Sequence, residues 1–252
     1  MILKSAWFGC MTLAMAACLS AQGEPLEAER EPARRAWIVA AEIPEDVANP
    51  LPVMVGDQMN EVPLRLRDVG DAIAVDEAGV VRAVKAETGP DGEVAYRNLA
   101  VAKLGKGVRE ALIVLVPKEE KEEGEEGLKF NTKVIDLAKF KKGGCLYVNL
   151  VKTKIGITIG EEKTVVSPGD MEFINMTGEE RAVVKPIRFF YEIPKQPDAD
   201  KADWKLMTAS RMMLYRSRRE ICIFFYNKEI ENVDFRGIPF ITPPPPEKRR
   251  EP

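Results

Sequence analysis

A mostly β fold, built as an antiparallel sandwich, is what this sequence predicts. Three observations carry the prediction. Short runs rich in Val, Ile, Phe and Tyr recur along the chain, among them AWIVAAEI from Ala36, GVVRAVK from Gly79, ALIVLV from Ala111 and ICIFFY from Ile221. Turn residues separate about a dozen such runs at intervals of roughly 8–12 residues, the spacing of a sandwich or barrel. No βαβ alternation interrupts them. The expectation is one large sandwich or two small immunoglobulin-like units over residues 36–242, with at most one or two short helices.

The elements follow in order. Ala36–Ile43 opens the domain as a strand ended by Pro44, and Leu51–Gly56 is a short strand running into a turn. In NEVPLRLRDVGDAIAV, Val62, Leu64 and Leu66 alternate with Pro63, Arg65 and Arg67, which gives one apolar face. Pro63 cannot donate to a ladder, so this strand is expected at a sheet edge. Gly79–Lys85 and Val94–Leu104 flank the turn signal Thr88-Gly89-Pro90-Asp91-Gly92. Ala111–Val116 is continuous and apolar, as for a strand buried on both faces. Lys118–Gly127 holds six Glu and reads as a solvated loop tip. It is also the expected break if the region is two units. CLYVNLV, KIGITIG, KTVVS and DMEFINM then follow as strands.

Arg181–Ile193 has the length of two short strands broken or bulged at Pro186. WKLMTASRMMLYRSRR, from Trp204, is compatible with either a helix or a strand. Ile221–Tyr226 is the strongest buried-strand signal, and residues 243–252 form a Pro-rich polar tail. AWIVAAEIP and ALIVLVP echo one another weakly, as two strands of similar composition or two related halves would.

The N-terminus carries an export pattern. Lys4 precedes an uncharged apolar run from Ala6 to Leu19, and small residues cluster at Ala16, Ala17, Ser20 and Ala21. A positive start, a short apolar stretch and a small-residue end define a secretory signal, expected here over residues 1–21. The run is shorter than the ~20 apolar residues of a membrane span. Met15-Ala16-Ala17-Cys18 resembles the bacterial lipobox, which implies lipidation at Cys18 and anchoring to a membrane through lipid alone. Cleavage after Ala21 is the other route. Residues 22–35, rich in Glu, Arg, Ala and Pro, are expected to form an exposed tether.

The chain contains no His. A Ser-His-Asp or Cys-His nucleophile system is therefore excluded within it, as are the common zinc sites built on imidazole. Net charge is −3, and loss of Lys4 with the signal makes it −4, which offers no basic footprint for nucleic acid. Beyond the signal, Cys145 and Cys222 form either a disulfide or two buried thiols. Arg216, Arg218 and Arg219, with Arg211 nearby, are a candidate anion site, because guanidinium forks grip carboxylates and phosphates. The competing reading is a solvated or cross-strand-paired face.

Asp198, Asp200 and Asp203 fall short of a calcium-loop pattern. Ser167, Ser210 and Ser217 lack a Lys at the spacing a Ser-Lys pair uses. Trp37, Trp204, Tyr96, Tyr147, Tyr191 and Tyr226 would stack on sugars only if brought to one face. Asn175-Met176-Thr177 has the form of a glycosylation sequon. No cofactor or metal site is expected.

The exported N-terminus, EVPLRLRDVGDAIAV, the GGCLYVNL–KIGITIG–PGD series and RREICIFFYNKEI running into Asp234–Gly237 resemble secreted bacterial β-sandwich proteins of uncharacterised families. The resemblance is architectural and assigns no role to any residue. The functional expectation is a non-catalytic envelope protein, periplasmic, lipid-anchored at the outer membrane or secreted. Its sandwich would be structural or bind a protein or glycan partner. A carbohydrate- or peptide-binding surface module is the alternative, and a hydrolase using paired carboxylates comes third. Mass spectrometry of the exported chain should find either a lipid-modified Cys18 or a free Gln22 at the mature N-terminus. An N-terminus still carrying residues 1–17 would sink the export reading.

Overall fold

A computed structural model describes residues 34–118, 128–175, 182–193, 203–215 and 217–241. The export signal, Cys18, the tether as far as residue 33, residues 119–127, Arg216 and the tail at 243–252 lie outside the described residues. The fold is mostly β, as expected, with no helix among the described residues.

The first eight strands are β1 (Arg34–Ala40), β2 (Leu51–Val55), β3 (Gln58–Val62), β4 (Ile73–Val75), β5 (Val80–Thr88), β6 (Val94–Lys103), β7 (Glu110–Pro117) and β8 (Phe130–Asp136). The next eight are β9 (Cys145–Asn149), β10 (Ile155–Ile159), β11 (Glu162–Val166), β12 (Met171–Ile174), β13 (Val183–Ile193), β14 (Asp203–Leu214), β15 (Arg219–Asn227) and β16 (Asn232–Phe240).

They form four sheets of four strands, in the orders β3-β2-β5-β6, β4-β1-β7-β8, β12-β9-β15-β16 and β11-β10-β13-β14. We call these the N-outer, N-inner, C-inner and C-outer sheets. Adding eight to each strand number of the first two gives the last two. Among the described residues, an eight-stranded unit is therefore built twice.

The agreement extends to register. β1 pairs parallel with β7, as β9 does with β15, while every other pairing is antiparallel. Each unit has a hairpin of two five-residue strands joined by two residues, the first a glycine in the left-handed region: Gly56 at φ 57° and Gly160 at φ 60°. A side chain there would strain the turn. Each unit also carries a bulge at the matching place, between Ala83 and Val84 and between Phe189 and Phe190.

Three buried clusters fill the spaces between layers. One joins the N-outer and N-inner sheets through Ile38, Val53, Val81 and Ile113. Another joins the C-inner and C-outer sheets through Tyr147, Ile157, Phe189 and Phe224. The third lies between the two inner sheets, where Trp37, Val39, Leu112, Val114 and Ile135 meet Leu146, Val148, Ile221, Ile223 and Ile238. Trp37 meets Phe240 edge-on there, with ring centroids 5.6 Å apart.

The inner strands are thus covered on both faces. This is why ALIVLV and ICIFFY read as continuous apolar runs, whereas outer strands such as β2 alternate buried and half-buried residues.

Several expectations need correction. Residues 118–127 connect β7 to β8, which pair with each other, so a boundary there would split a sheet. The changeover between units falls between β8 and β9 instead. The echo between AWIVAAEIP and ALIVLVP is between β1 and β7, neighbours in one sheet, so of the two readings it is the one of strands alike in composition that fits and not that of related halves. Arg34 and Arg35 belong to β1 and not to a tether. Arg34 donates to the carbonyls of Val108, Glu77 and Gly105, and Arg35 pairs with Glu110.

The Val62–Leu66 alternation is strand only as far as Val62. β3 is an edge strand but ends before Pro63, so the ladder argument from Pro63 does not bear on it, and Asn49 then takes the place of a ladder partner. Its side chain donates to the Leu64 carbonyl at 3.0 Å and accepts from its amide at 2.9 Å. WKLMTASRMML is strand β14. Residues 183–193 form one strand and not two, bulged beyond Pro186. Pro186 needs no donor because it lies past the end of β10, where its carbonyl accepts from Gly160 at 2.8 Å.

Replacing Trp37 by Ala empties the contact between the inner sheets and is expected to cost about 3–5 kcal/mol. Val165→Ser, on an exposed face, should change stability by no more than about 0.5 kcal/mol. Urea denaturation of both variants measures the difference. Equal effects would mean that the two units do not depend on this contact.

Candidate functional site

The C-outer sheet turns Ile155, Ile157, Ile159, Ile187 and Phe189 inward to the core. Strand alternation therefore turns Gly156, Thr158, Lys163, Val165, Arg188, Phe190, Leu206 and Arg211 outward. Cross-strand pairing sets Val165, Gly156, Phe190 and Leu206 in one row. Lys163, Thr158 and Arg188 form the next row, and Arg211 stands opposite Pro186 one step further on.

Trp204, on β14 opposite Glu192, reaches across β13 to β10. A Cβ on Gly156 would stand 3.1 Å from its Cζ3 and 3.4 Å from its Cε3. Crossing a whole strand requires the indole to lie along the sheet. The missing side chain at Gly156 makes the room for it. The face remains uncovered, with Val165 53%, Leu206 51% and Trp204 38% exposed.

Charge on this face is one-sided. Glu192 is paired with Lys154 at 3.6 Å. Among the described residues, Lys163, Arg188 and Arg211 have no carboxylate partner. β14 is also an edge twelve residues long without proline, and such an edge invites pairing. In the N unit the matching edge β6 leans on β8 instead, with Thr132 donating to the Val101 carbonyl at 2.8 Å and the Lys129 amide to Leu99 at 2.8 Å.

A second feature lies at the other edge of the C unit. Glu162, Thr164, Glu172, Ile174, Asn175 and Lys185, bordered by Lys163 and Phe173, line a half-open cleft of about 390 Å³ between β11 and β12. Its lining is polar. Such a cleft can hydrogen-bond a hydroxylated ligand, and its lining includes Glu162, Glu172 and Lys185, while Lys163 stands at the border between the cleft and the outer face.

The sequence matches no known protein family and no characterised protein. Residue chemistry alone must therefore assign roles.

The predicted sites are dispersed by the fold. Cys145 and Cys222 are free thiols, both buried on adjacent parallel strands. Cys222 lies opposite Tyr147, so it is two residues out of step with Cys145. That offset puts their Cα atoms about 8 Å apart by strand geometry, beyond the ~7 Å that a disulfide spans. Of the two readings the sequence leaves open, the pair is therefore two buried thiols and not a disulfide.

Of the arginine cluster, Arg219 is buried, donates to the carbonyls of Phe140 and Leu137, and packs against the rings of Phe140 and Phe240. Arg218 pairs with Glu220 and lies over Tyr215. These two are structural donors facing different neighbours, and Arg216 lies outside the described residues. Trp37 and Tyr147 are core, whereas Tyr96 and Tyr226 are exposed on other strands. The Asn175 side chain is engaged by the Lys141 amide and the Lys139 carbonyl. Asp198 and Asp200 lie outside the described residues, and Ser210 is exposed on the β14 edge.

Sequence reasoning weighed Arg211 and Trp204 separately and missed Lys163, Arg188 and Phe190. The signal available was the outward alternation in β13, where Arg188 and Phe190 follow Pro186.

Burial pushes the Cys145 thiol from 9.0 up to about 11 and raises Cys222 as well. The folded state therefore keeps thiols protonated that the unfolded chain ionises. Their contribution to stability is complete below pH 9 and is lost as pH rises through about 11. The melting temperature should fall over that window, and less so in Cys145→Ala/Cys222→Ala. Native protein at pH 8 should resist a thiol reagent until unfolded, and rapid native labelling would contradict the buried placement.

Proposed function

We propose that the protein is a non-catalytic, exported component of a bacterial cell envelope, which holds a partner on the outer face of its C-outer sheet. The observation that carries this reading is the exposed platform of Trp204, Phe190, Leu206 and Val165 beside three cations that have no carboxylate partner among the described residues. Contiguous apolar surface rimmed by polar groups marks interaction sites. The N-terminal export pattern supports the location, with Cys18 as the lipid-anchored alternative to cleavage after Ala21. The four-layer stack supports a structural role, because it makes the face a rigid plate and not a loop surface.

The carboxylate-dependent hydrolase is a second reading, favoured only by Glu162 and Glu172 across the cleft. Washed envelope preparations should retain the purified mature chain. A Trp204→Ala/Leu206→Ser variant should be released into the soluble fraction with an unchanged melting temperature. Retention of that variant would overturn the assignment. Release of reducing ends from envelope polysaccharide by the wild type, but not by Glu162→Gln or Glu172→Gln, would replace it with the hydrolase.

A further inference from the structure

We infer that the outer face of the C-outer sheet binds a carboxylate-bearing polysaccharide laid across the strands, with Trp204 stacking on a sugar ring and Lys163, Arg188 and Arg211 pairing with acid groups. The inference rests on the partner-binding reading above and names its ligand class.

Charge selects an anion. The chain has 40 acidic residues and a net charge of −3, yet this face carries three cations with no carboxylate partner among the described residues. Shape selects an extended ligand. Lys163 is on β11, Arg188 on β13 and Arg211 on β14, so the cations run from one edge of the sheet to the other. Strand spacing sets Lys163 and Arg188 about 10 Å apart, and Arg188 and Arg211 about 8 Å apart.

A chain with an acid on alternate sugars meets such a line of charges, and the C–H face of a pyranose meets the flat indole. An acidic peptide added to the β14 edge would touch Trp204 and Arg211 but could not reach Lys163 at the opposite edge.

The N unit supplies an independent observation. By register, Tyr96, Arg82 and Lys103 occupy the positions of Trp204, Arg188 and Arg211. Core positions have meanwhile diverged, with Ala36 matching Cys145 and Ala40 matching Asn149. An aromatic group with two cations thus recurs where packing does not require it.

The test is titration of the mature chain with polygalacturonate, measured by calorimetry and affinity electrophoresis. Methyl-esterified polygalacturonate, poly-glutamate, and vesicles of phosphatidylglycerol with phosphatidylcholine serve as comparisons. Binding to polygalacturonate should weaken with salt and be largely lost on esterification. It should fall at least about tenfold in Trp204→Ala and in Arg188→Ser/Arg211→Ser, and severalfold in Lys163→Ser. Trp204→Phe should restore part of it, and Tyr226→Ala, an exposed aromatic elsewhere, should leave it unchanged. Circular dichroism melts establish that each variant is folded.

Wild-type affinity in all of the face variants would overturn the inference. So would preference for poly-glutamate with no effect of Lys163→Ser, which assigns an edge-bound peptide, or binding to vesicles alone, which assigns a lipid surface. If polygalacturonate fails while envelope retention still depends on Trp204, the glycan class falls and the partner-binding reading stands. If retention is also independent of Trp204, both fall.

Discussion

The contact between the two inner sheets is the constraint on which the rest of the structure depends. Two four-stranded sheets, one from each unit, lay equivalent faces against each other. Trp37 matches Leu146 by register, Leu112 matches Ile221, and Ile135 matches Ile238. The same positions serve both sides, as in an isologous dimer interface, but within a single chain. Each inner sheet thereby gains a second buried face, and its strands can be apolar throughout. A single sandwich with these strands would expose half of that surface to water.

Buried polar groups hold this layer in register. Arg219 caps the carbonyls of Leu137 and Phe140 at the connection between the units, and burial lowers its pKa. Arg236 reaches from β16 to the carbonyls of Ala40 and Ala41 at the end of β1, so it ties the C unit to the N unit. Such donors satisfy chain ends that leave a sheet inside the stack, where an orphaned carbonyl would be costly. Of the arginines that look like a binding cluster in the sequence, Arg219 spends its donors on the backbone and Arg218 pairs with Glu220.

With the inner faces committed to packing, the outer faces are free to diverge. The N-outer sheet leans its long edge on β8. In the C-outer sheet, β14 remains an edge, and its Trp204 lies back over Gly156. A glycine on β10 and an indole from β14 make a flat platform that neither strand makes alone. The rigidity of four packed layers holds the side chains of β11, β13 and β14 in a fixed arrangement.

The sequence by itself determined the fold class, the strands buried on both faces and the chemistries that a chain without His cannot perform. Each of these depends on local properties: side-chain alternation, β-branched content and the presence of a residue type. Only the tertiary structure decided that the chain is one unit built twice, that Cys145 and Cys222 stand out of step, and that Trp204 shares a face with Lys163, Arg188 and Arg211. The duplication left its mark in strand order, hairpin length and bulge position more than in residue identity, because a core asks only for apolar volume. Which residues share a face is fixed by register between strands far apart in sequence, and a one-residue slip would send half of them to the other side.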